Sequence, residues 1–196
     1  VAFDHTVNKS FWLKRFKKDF ISLLLLRKIK PNQIKDVFKY LNYLLFFKGK
    51  NQHHVKKIVF KKKDKSRDIT IKEAIGENRD IVLKIDIEGD EYKILKDINR
   101  NVDKINLVII EFHNLQKNLK TIKNFIKNTK LKNIHINANN YGMVDNLGIP
   151  QVIEMTLINP KKFKIKNKKT NRSYPIKGLD FKNRKRGEDI KIIFEK

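Results

Sequence analysis

Cysteine is absent from this chain of 196 residues, which excludes disulfides, thiolate metal ligands and a cysteine nucleophile within it. The absence is typical of a reducing compartment, and we expect the protein to be cytoplasmic. Apolar runs such as residues 23–26 are far shorter than the roughly 18 residues that a membrane-spanning helix needs. The sequence also lacks a secretory signal pattern.

Glycine is scarce as well. The seven glycines are scattered and form no Gly-x-Gly sequence, so these residues contain no glycine-rich phosphate-binding loop. The spacing of a zinc site and a Ser-His-Asp order are missing too. His53 and His54 stand together without a nearby carboxylate or cysteine, and the spacing along the chain therefore predicts no metal site.

Acidic residues are outnumbered, since 46 lysines and arginines against 21 aspartates and glutamates give a net charge of +25. One interpretation is a polyanionic partner such as nucleic acid, an anionic membrane or an acidic glycan. The other is a lysine-, asparagine- and isoleucine-rich composition without a dedicated partner. Basic residues do not alternate with aromatic residues on any predicted strand, so we do not expect a nucleic-acid partner.

The hydrophobic pattern predicts two amphipathic helices, over residues 9–30 and 32–47, separated by Pro31. A strand over 53–60 and a short helix that Thr70 and Glu73 cap should follow. Strands and helices then alternate, which predicts an α/β fold with a mainly parallel sheet and an antiparallel pair of strands at one edge. These predicted strands cover residues 80–88, 105–113, 133–139 and 151–159, with one more possible at 190–194.

The stretch 11–29 combines aromatic residues and leucines with lysines and arginines. One interpretation is a helix whose apolar side packs in the core. The other is a helix that lies on a membrane surface.

Polar residues stand at or just after the ends of four predicted strands, one of which is the short apolar stretch that opens the chain and ends in Asp4. In an open parallel sheet, ligands bind beyond the carboxyl ends of the strands, so these residues are the candidate site. They are Asp4 and His5; Asp86 and Glu88; Glu111, His113 and Asn114; and Asn139, Asn140 and Tyr141.

Several of these residues, and the neighbouring acids Asp90 and Glu91, can also be interpreted as having a purely structural role. Asp90 and Glu91 open a predicted helix, where acids favour the helix dipole, and Gly89 suits a tight turn before them. Glu111 follows four apolar residues and would be buried unless a ligand, a metal or a partner meets it. His113 is either a general base or a hydrogen-bonded structural group. The paired asparagines after the fourth strand either stabilise a turn or bind a polar ligand.

The segments "LKIDIEGDEYKIL", "VIIEFHNL" and "IHINANNYG", the last followed by "IPQVIEMTLIN", resemble FkbM-type methyltransferase domains. The first matches the motif Lys-Ile-Asp-hydrophobic-Glu-Gly-x-Glu. "FDHTV" at the start and "YPIKGLDFKN" near the end are similar to further segments of one branch of that family.

The resemblance implies a Rossmann-like class I methyltransferase that uses S-adenosylmethionine to methylate a hydroxyl group, often of a sugar or a natural product. Asp4, with His5 after it, corresponds to the family's position that binds the ribose hydroxyls of the cofactor. Asp86 and Glu88 would lie by the methionine end of the cofactor or by the reacting oxygen. Glu111 and His113 would face the substrate, and His113 or Asp86 could act as base. The remaining substrate-binding residues would be Asn114, Asn139, Asn140 and Tyr141.

The chain departs from that family at its start, because the first strand and its glycine-rich loop would precede Val1. We therefore expect either a fragment, which the Val1 start favours, or a natural truncation that is inactive as it stands. Residues 9–50 would be a helical insertion into a partial methyltransferase domain over 1–160. Residues 161–196 would be a basic loop and an extension packed on it. The alternative is a non-catalytic basic protein that binds nucleic acid or acidic glycan.

Overall fold

The computed structural model of the chain describes residues 2–3, 9–25, 31–48, 53–54, 57–165 and 173–192. It divides into two compact units, Val1–Ile69 and Thr70–Lys196. Within the described residues, no helix has the length and apolar character needed to cross a membrane. Asp4 and His5, the candidates for the cofactor's ribose, lie outside the described residues.

The first unit contains two helices and two pairs of short parallel strands. Its elements are β1 (Ala2–Phe3), α1 (Lys9–Leu24), α2 (Pro31–Phe46), β2 (His53–His54), β3 (Lys57–Ile58) and β4 (Asp68–Ile69). β1 pairs with β2, and β3 pairs with β4. Pro31 separates the two helices as predicted, and it does so as the first residue of α2, where its missing N–H costs no hydrogen bond.

Aromatic side chains join α1 to α2. The ring centroids of Phe16 and Tyr40 are 5.1 Å apart, and those of Trp12 and Tyr43 are 6.4 Å apart. Tyr40 is buried. The aromatic residues at the centre of α1 therefore pack inside the helix pair, whereas Phe20 is exposed.

The second unit is an α/β sandwich built on one sheet. Its elements are α3 (Ile71–Ile75), β5 (Ile81–Ile85), α4 (Glu91–Arg100), a 3₁₀ turn (Val102–Lys104), β6 (Ile105–Phe112), α5 (Leu115–Asn128), β7 (Lys132–Ala138) and β8 (Ile153–Ile158). The predicted cap of α3 is confirmed. The Thr70 hydroxyl accepts the Glu73 N–H, and the Glu73 carboxylate accepts the Thr70 N–H.

The four strands of the sheet stand in the order β5-β6-β8-β7. β5 and β6 are parallel, and β8 runs antiparallel to both of its neighbours. This arrangement confirms the predicted α/β fold and its antiparallel edge. The core includes Ile94 and Ile98 of α4 and Val108 and Phe112 of β6, all of which are fully buried.

A C-terminal segment, residues 173–192, is attached to β7. His135 Nε2 lies 2.7 Å from Asp180 Oδ1, and the other oxygen of Asp180 accepts the Ile176 N–H. Of the strand predicted at 190–194, the described residues show one isolated bridge, between Tyr174 and Ile192.

Candidate functional site

The carboxyl ends of β5 and β6 lie side by side, because these two strands are parallel and hydrogen-bonded. Asp86 follows β5, while Glu111 closes β6 and His113 comes just after it. Residues after β7 reach the same edge, and Asn139 Nδ2 donates to Glu111 Oε1 over 2.7 Å. Together they line an open cleft of about 410 Å³, whose walls include Asp86, Glu88, Glu111, His113, Asn139, Tyr141, Gln151 and Asn183.

His113 stands at the centre of this group. Its Nδ1 lies 2.9 Å from Glu91 Oε1. Its Nε2 faces three other carboxylates, at 3.5 Å from Glu88 Oε2, 3.9 Å from Asp86 Oδ1 and 4.0 Å from Glu111 Oε1. These three separations are too long for hydrogen bonds, so Nε2 remains available to a ligand.

Glu91 is predicted from the sequence only as an acid that opens a helix, but in the structure it contacts His113. It is fully buried, and its Oε1 accepts the N–H groups of Ile87 and Gly89 in addition to its contact with His113. Its Oε2 has no partner among the described residues. Asp90, by contrast, pairs with Lys93 one turn along the helix. The last acid of the motif Lys-Ile-Asp-hydrophobic-Glu-Gly-x-Glu is the sequence signal that could have identified Glu91.

The turn between β5 and α4 wraps around this buried carboxylate. Gly89 has a φ of +107°, a conformation that side chains disfavour, and Glu88 has a φ of +56°. The left-handed conformation of Glu88 costs free energy, and such strain is found preferentially at functional sites. The turn therefore supplies both the acid at the rim of the cleft and the N–H groups that hold Glu91.

Tyr92 holds the main chain of His113, because its hydroxyl donates to the His113 carbonyl over 2.6 Å. Burial, followed by the negative charge of Glu91, raises the pKa of Tyr92 to about 12. The hydroxyl therefore keeps its proton at neutral pH and remains a donor.

The two asparagines after β7 have different partners. Asn139 bonds Glu111 and accepts the Tyr141 N–H through Oδ1, so it forms part of the cleft wall. Asn140 donates to the carbonyl of Arg184 and accepts its N–H, which fastens the C-terminal segment. Tyr141 lines the cleft and is 69% exposed. Asn114 is an exposed residue in the left-handed conformation at the start of α5 and is not part of the cleft lining.

Charge sets the cleft apart from the rest of the chain. Its lining contains Asp86, Glu88 and Glu111 but no lysine or arginine, although the chain carries a net charge of +25. An adjoining pocket shares Glu111, Asn139 and Asn183 with it and adds Glu154 and Asp180. Within the described residues, the site is therefore an acidic depression in a basic protein.

Oxygen and nitrogen ligand atoms also come together here. Asp86, Glu91 and His113 each offer one such atom, and these atoms lie within 4.8 Å of one another. The prediction of no metal site used spacing along the chain. It could not take this cluster into account, because His113 stands 22 positions after Glu91.

Comparison with curated proteins and with solved structures found no match. The family described as "Methyltransferase FkbM domain" matches residues 28–141, which is more than half of the chain. The matched range includes the strand ends that carry Asp86, Glu88, Glu111, His113 and the two asparagines. The chain therefore belongs to the FkbM methyltransferase family.

Proposed function

We propose that this protein transfers a methyl group from S-adenosylmethionine to a hydroxyl oxygen of a sugar-like acceptor. The main support is the convergence of Asp86, Glu111, His113 and Asn139 on one cleft at the carboxyl ends of the strands. Ligand sites of open α/β sheets lie at such an edge. The family match supplies the reaction class.

The chemistry of the cleft suits the cofactor. S-adenosylmethionine supplies an electrophilic methyl group on a cationic sulfonium, and its methionine end carries an ammonium group. Asp86 and Glu88 would lie near these positive charges, and the cleft lining has no lysine or arginine to oppose them. The proposed partners of the ribose, Asp4 and His5, lie outside the described residues.

The same cleft suits a polyhydroxylated acceptor. Carboxylate and amide groups such as those of Asp86, Glu111 and Asn139 accept and donate hydrogen bonds to hydroxyl groups. Tyr141 presents an exposed ring at the rim, on which the apolar face of a sugar could pack. One of Asp86, Glu111 and His113 accepts the hydroxyl proton. The three groups also orient the sugar-like substrate toward the methyl group.

The test has two stages. Calorimetry should show that the full chain binds S-adenosylmethionine, and formation of S-adenosylhomocysteine should then be measured over a panel of monosaccharides and glycosides. We expect Asp86→Asn to reduce transfer by about 10²-fold or more, which is the usual contribution of a positioned proton acceptor. Asp90→Asn, four positions away and paired with Lys93, should retain full transfer. A chain that binds no cofactor, or equal transfer by both variants, would refute the proposal.

A further inference from the structure

We propose that His113, Asp86 and Glu88 bind one divalent cation of the magnesium or manganese class, with Glu91 orienting the histidine. This site goes beyond the proposed methyl transfer and does not depend on it, since cation binding can be measured without a methyl donor or an acceptor.

The contact between Glu91 and His113 is the first observation. A metal-binding histidine commonly donates its second ring N–H to a carboxylate, which fixes the tautomer and the ring orientation. Glu91 Oε1 lies 2.9 Å from Nδ1 in that position. Because Nδ1 then carries the proton, Nε2 presents its lone pair to the cleft.

The surroundings of Nε2 are the second observation. Its neighbours Glu88 Oε2 and Asp86 Oδ1 lie at 3.5 Å and 3.9 Å. Two ligands of one octahedral ion with bonds of about 2.1 Å lie about 3.0 Å apart when adjacent and about 4.2 Å apart when opposite. Both separations lie between these two values, so Glu88 and Asp86, whose side chains are 84% and 44% exposed, must shift slightly to become octahedral ligands. A lone pair facing two carboxylates without a donor between them is repulsive, and a cation between them removes the repulsion.

The buried carboxyl group of Glu91 gives the third observation. The side chain is fully buried and its Oε2 has no hydrogen-bond donor among the described residues. One of its oxygens lies within 4.8 Å of ligand atoms of Asp86 and His113. Unsatisfied buried polar atoms are rare and often indicate a missing water or ion. The neighbouring cleft lining contains no lysine or arginine.

The donor set indicates the class of ion. Oxygen-rich sites favour magnesium, calcium and manganese, while an imidazole nitrogen favours transition metals over calcium. The chain contains no cysteine, so the soft ligands that favour zinc are absent. Manganese satisfies both preferences and has an electron paramagnetic resonance signal. A cation held by His113 and Asp86 would change both from proton acceptors to ligands and leave Glu111 to accept the proton.

The test uses the full chain after treatment with a chelator and titration with Mn²⁺ followed by electron paramagnetic resonance. We expect one saturable site per chain, with Mg²⁺ as a competitor. Asp86→Asn and Glu88→Gln should each weaken Mn²⁺ binding at least about tenfold, and Glu91→Gln should weaken it by about 10- to 100-fold. Asp90→Asn is the matched control and should stay within about twofold, because its carboxylate pairs with Lys93.

Glu88 keeps the test decisive, since its side chain is 84% exposed and Glu88→Gln cannot disturb the core. Bound Mn²⁺ should also broaden the ring resonances of His113 more than those of His135, which bonds Asp180. No saturation up to about 1 mM Mn²⁺ would overturn the proposal. A site that Asp86→Asn and Glu88→Gln leave unchanged would overturn it as well.

Discussion

Glu91 Oε1 lies 2.9 Å from Nδ1 of His113, and this contact joins the first residue of α4 to the residue that follows β6. A carboxylate accepts hydrogen bonds, so Nδ1 of His113 is the donor in this contact, and in a neutral ring Nε2 then presents a lone pair to the cleft. One buried side chain therefore holds the turn after β5 and decides which ring nitrogen faces the cleft.

Glu91→Ala should lower the free energy of unfolding by about 3 kcal/mol, because it leaves the N–H groups of Ile87 and Gly89 without their acceptor. Glu91→Gln retains an oxygen acceptor and should lose less stability, while methyl transfer falls. Urea unfolding and a transfer assay measure the two effects separately. Asp90→Ala serves as the control, and the assignment fails if it destabilises the protein as much as Glu91→Ala does.

Asn159 is the second buried polar residue with a clear structural role. It is 2% exposed, and its Nδ2 donates to the carbonyls of Val102 and Ile105, which ties the end of β8 to the start of β6. Asn159→Ala should cost about 2–3 kcal/mol, since it removes both hydrogen bonds, although the Val102 carbonyl keeps the Ile105 N–H as a donor. The exposed Asn133→Ala should cost less than about 0.5 kcal/mol in the same urea experiment. A loss at position 159 no larger than that would contradict this role.

Asn140→Ala should release the main chain at Arg184. The side chain both donates to and accepts from that residue, so its removal should speed hydrogen exchange of the Arg184 N–H by roughly tenfold. The Ile176 N–H, held by Asp180, should keep its protection. Asn139→Ala is the neighbouring control, because its amide bonds Glu111 and Tyr141 instead. Unchanged exchange at Arg184 would show that Asn140 does not fasten the segment.

The ion pair between Lys162 and Asp80, 2.9 Å apart, holds the pKa of Asp80 below its ordinary value of 3.8. Because the pKa is lowered by folding, the resulting stabilisation is complete above that value and disappears as the pH falls through the lowered pKa. Lys162→Ala should return the pKa of Asp80 toward 3.8 in a carboxyl titration followed by nuclear magnetic resonance. Lys161→Ala, which removes a partner of Asp103, should leave it unchanged.

Local signals in the sequence were sufficient for much of the second unit. The alternation of strands and helices predicts the α/β fold, and Thr70 and Glu73 predict the cap of α3, because both depend on residues close in sequence. Some of the polar residues at the strand ends do line one cleft, whereas Asn114 and Asn140 do not, and Asp4 and His5 lie outside the described residues. Two adjacent parallel strands, such as β5 and β6, place their carboxyl ends at the same edge of the sheet, and this does not depend on the rest of the fold.

Other features depend on contacts that sequence spacing does not reveal. Asn140 looks like a second cleft residue beside Asn139, but its partner Arg184 is 44 positions away. Glu91 looks like an ordinary helix-opening acid, because its burial depends on where His113 arrives from β6. Of the predicted strand over 53–60, the described residues show β2 and β3, and residues 55–56 lie outside them. β3 pairs with the two-residue β4, which the hydrophobic pattern did not indicate.

The position of β8 has a consequence for how this protein folds during synthesis. β6 and β7 are separated by β8, which bonds both of them, so neither can complete its hydrogen bonds until residues 153–158 have left the ribosome. Glu111 and Asn139, which are hydrogen-bonded in the cleft, are then brought together late and by a strand that comes after both in the chain. Such non-local pairing folds slowly and leaves strand edges exposed in the nascent chain. A ribosome-stalled chain that ends before Ile153 should therefore be protease-sensitive through β6 and β7, while one that extends well past Ile158 should be protected.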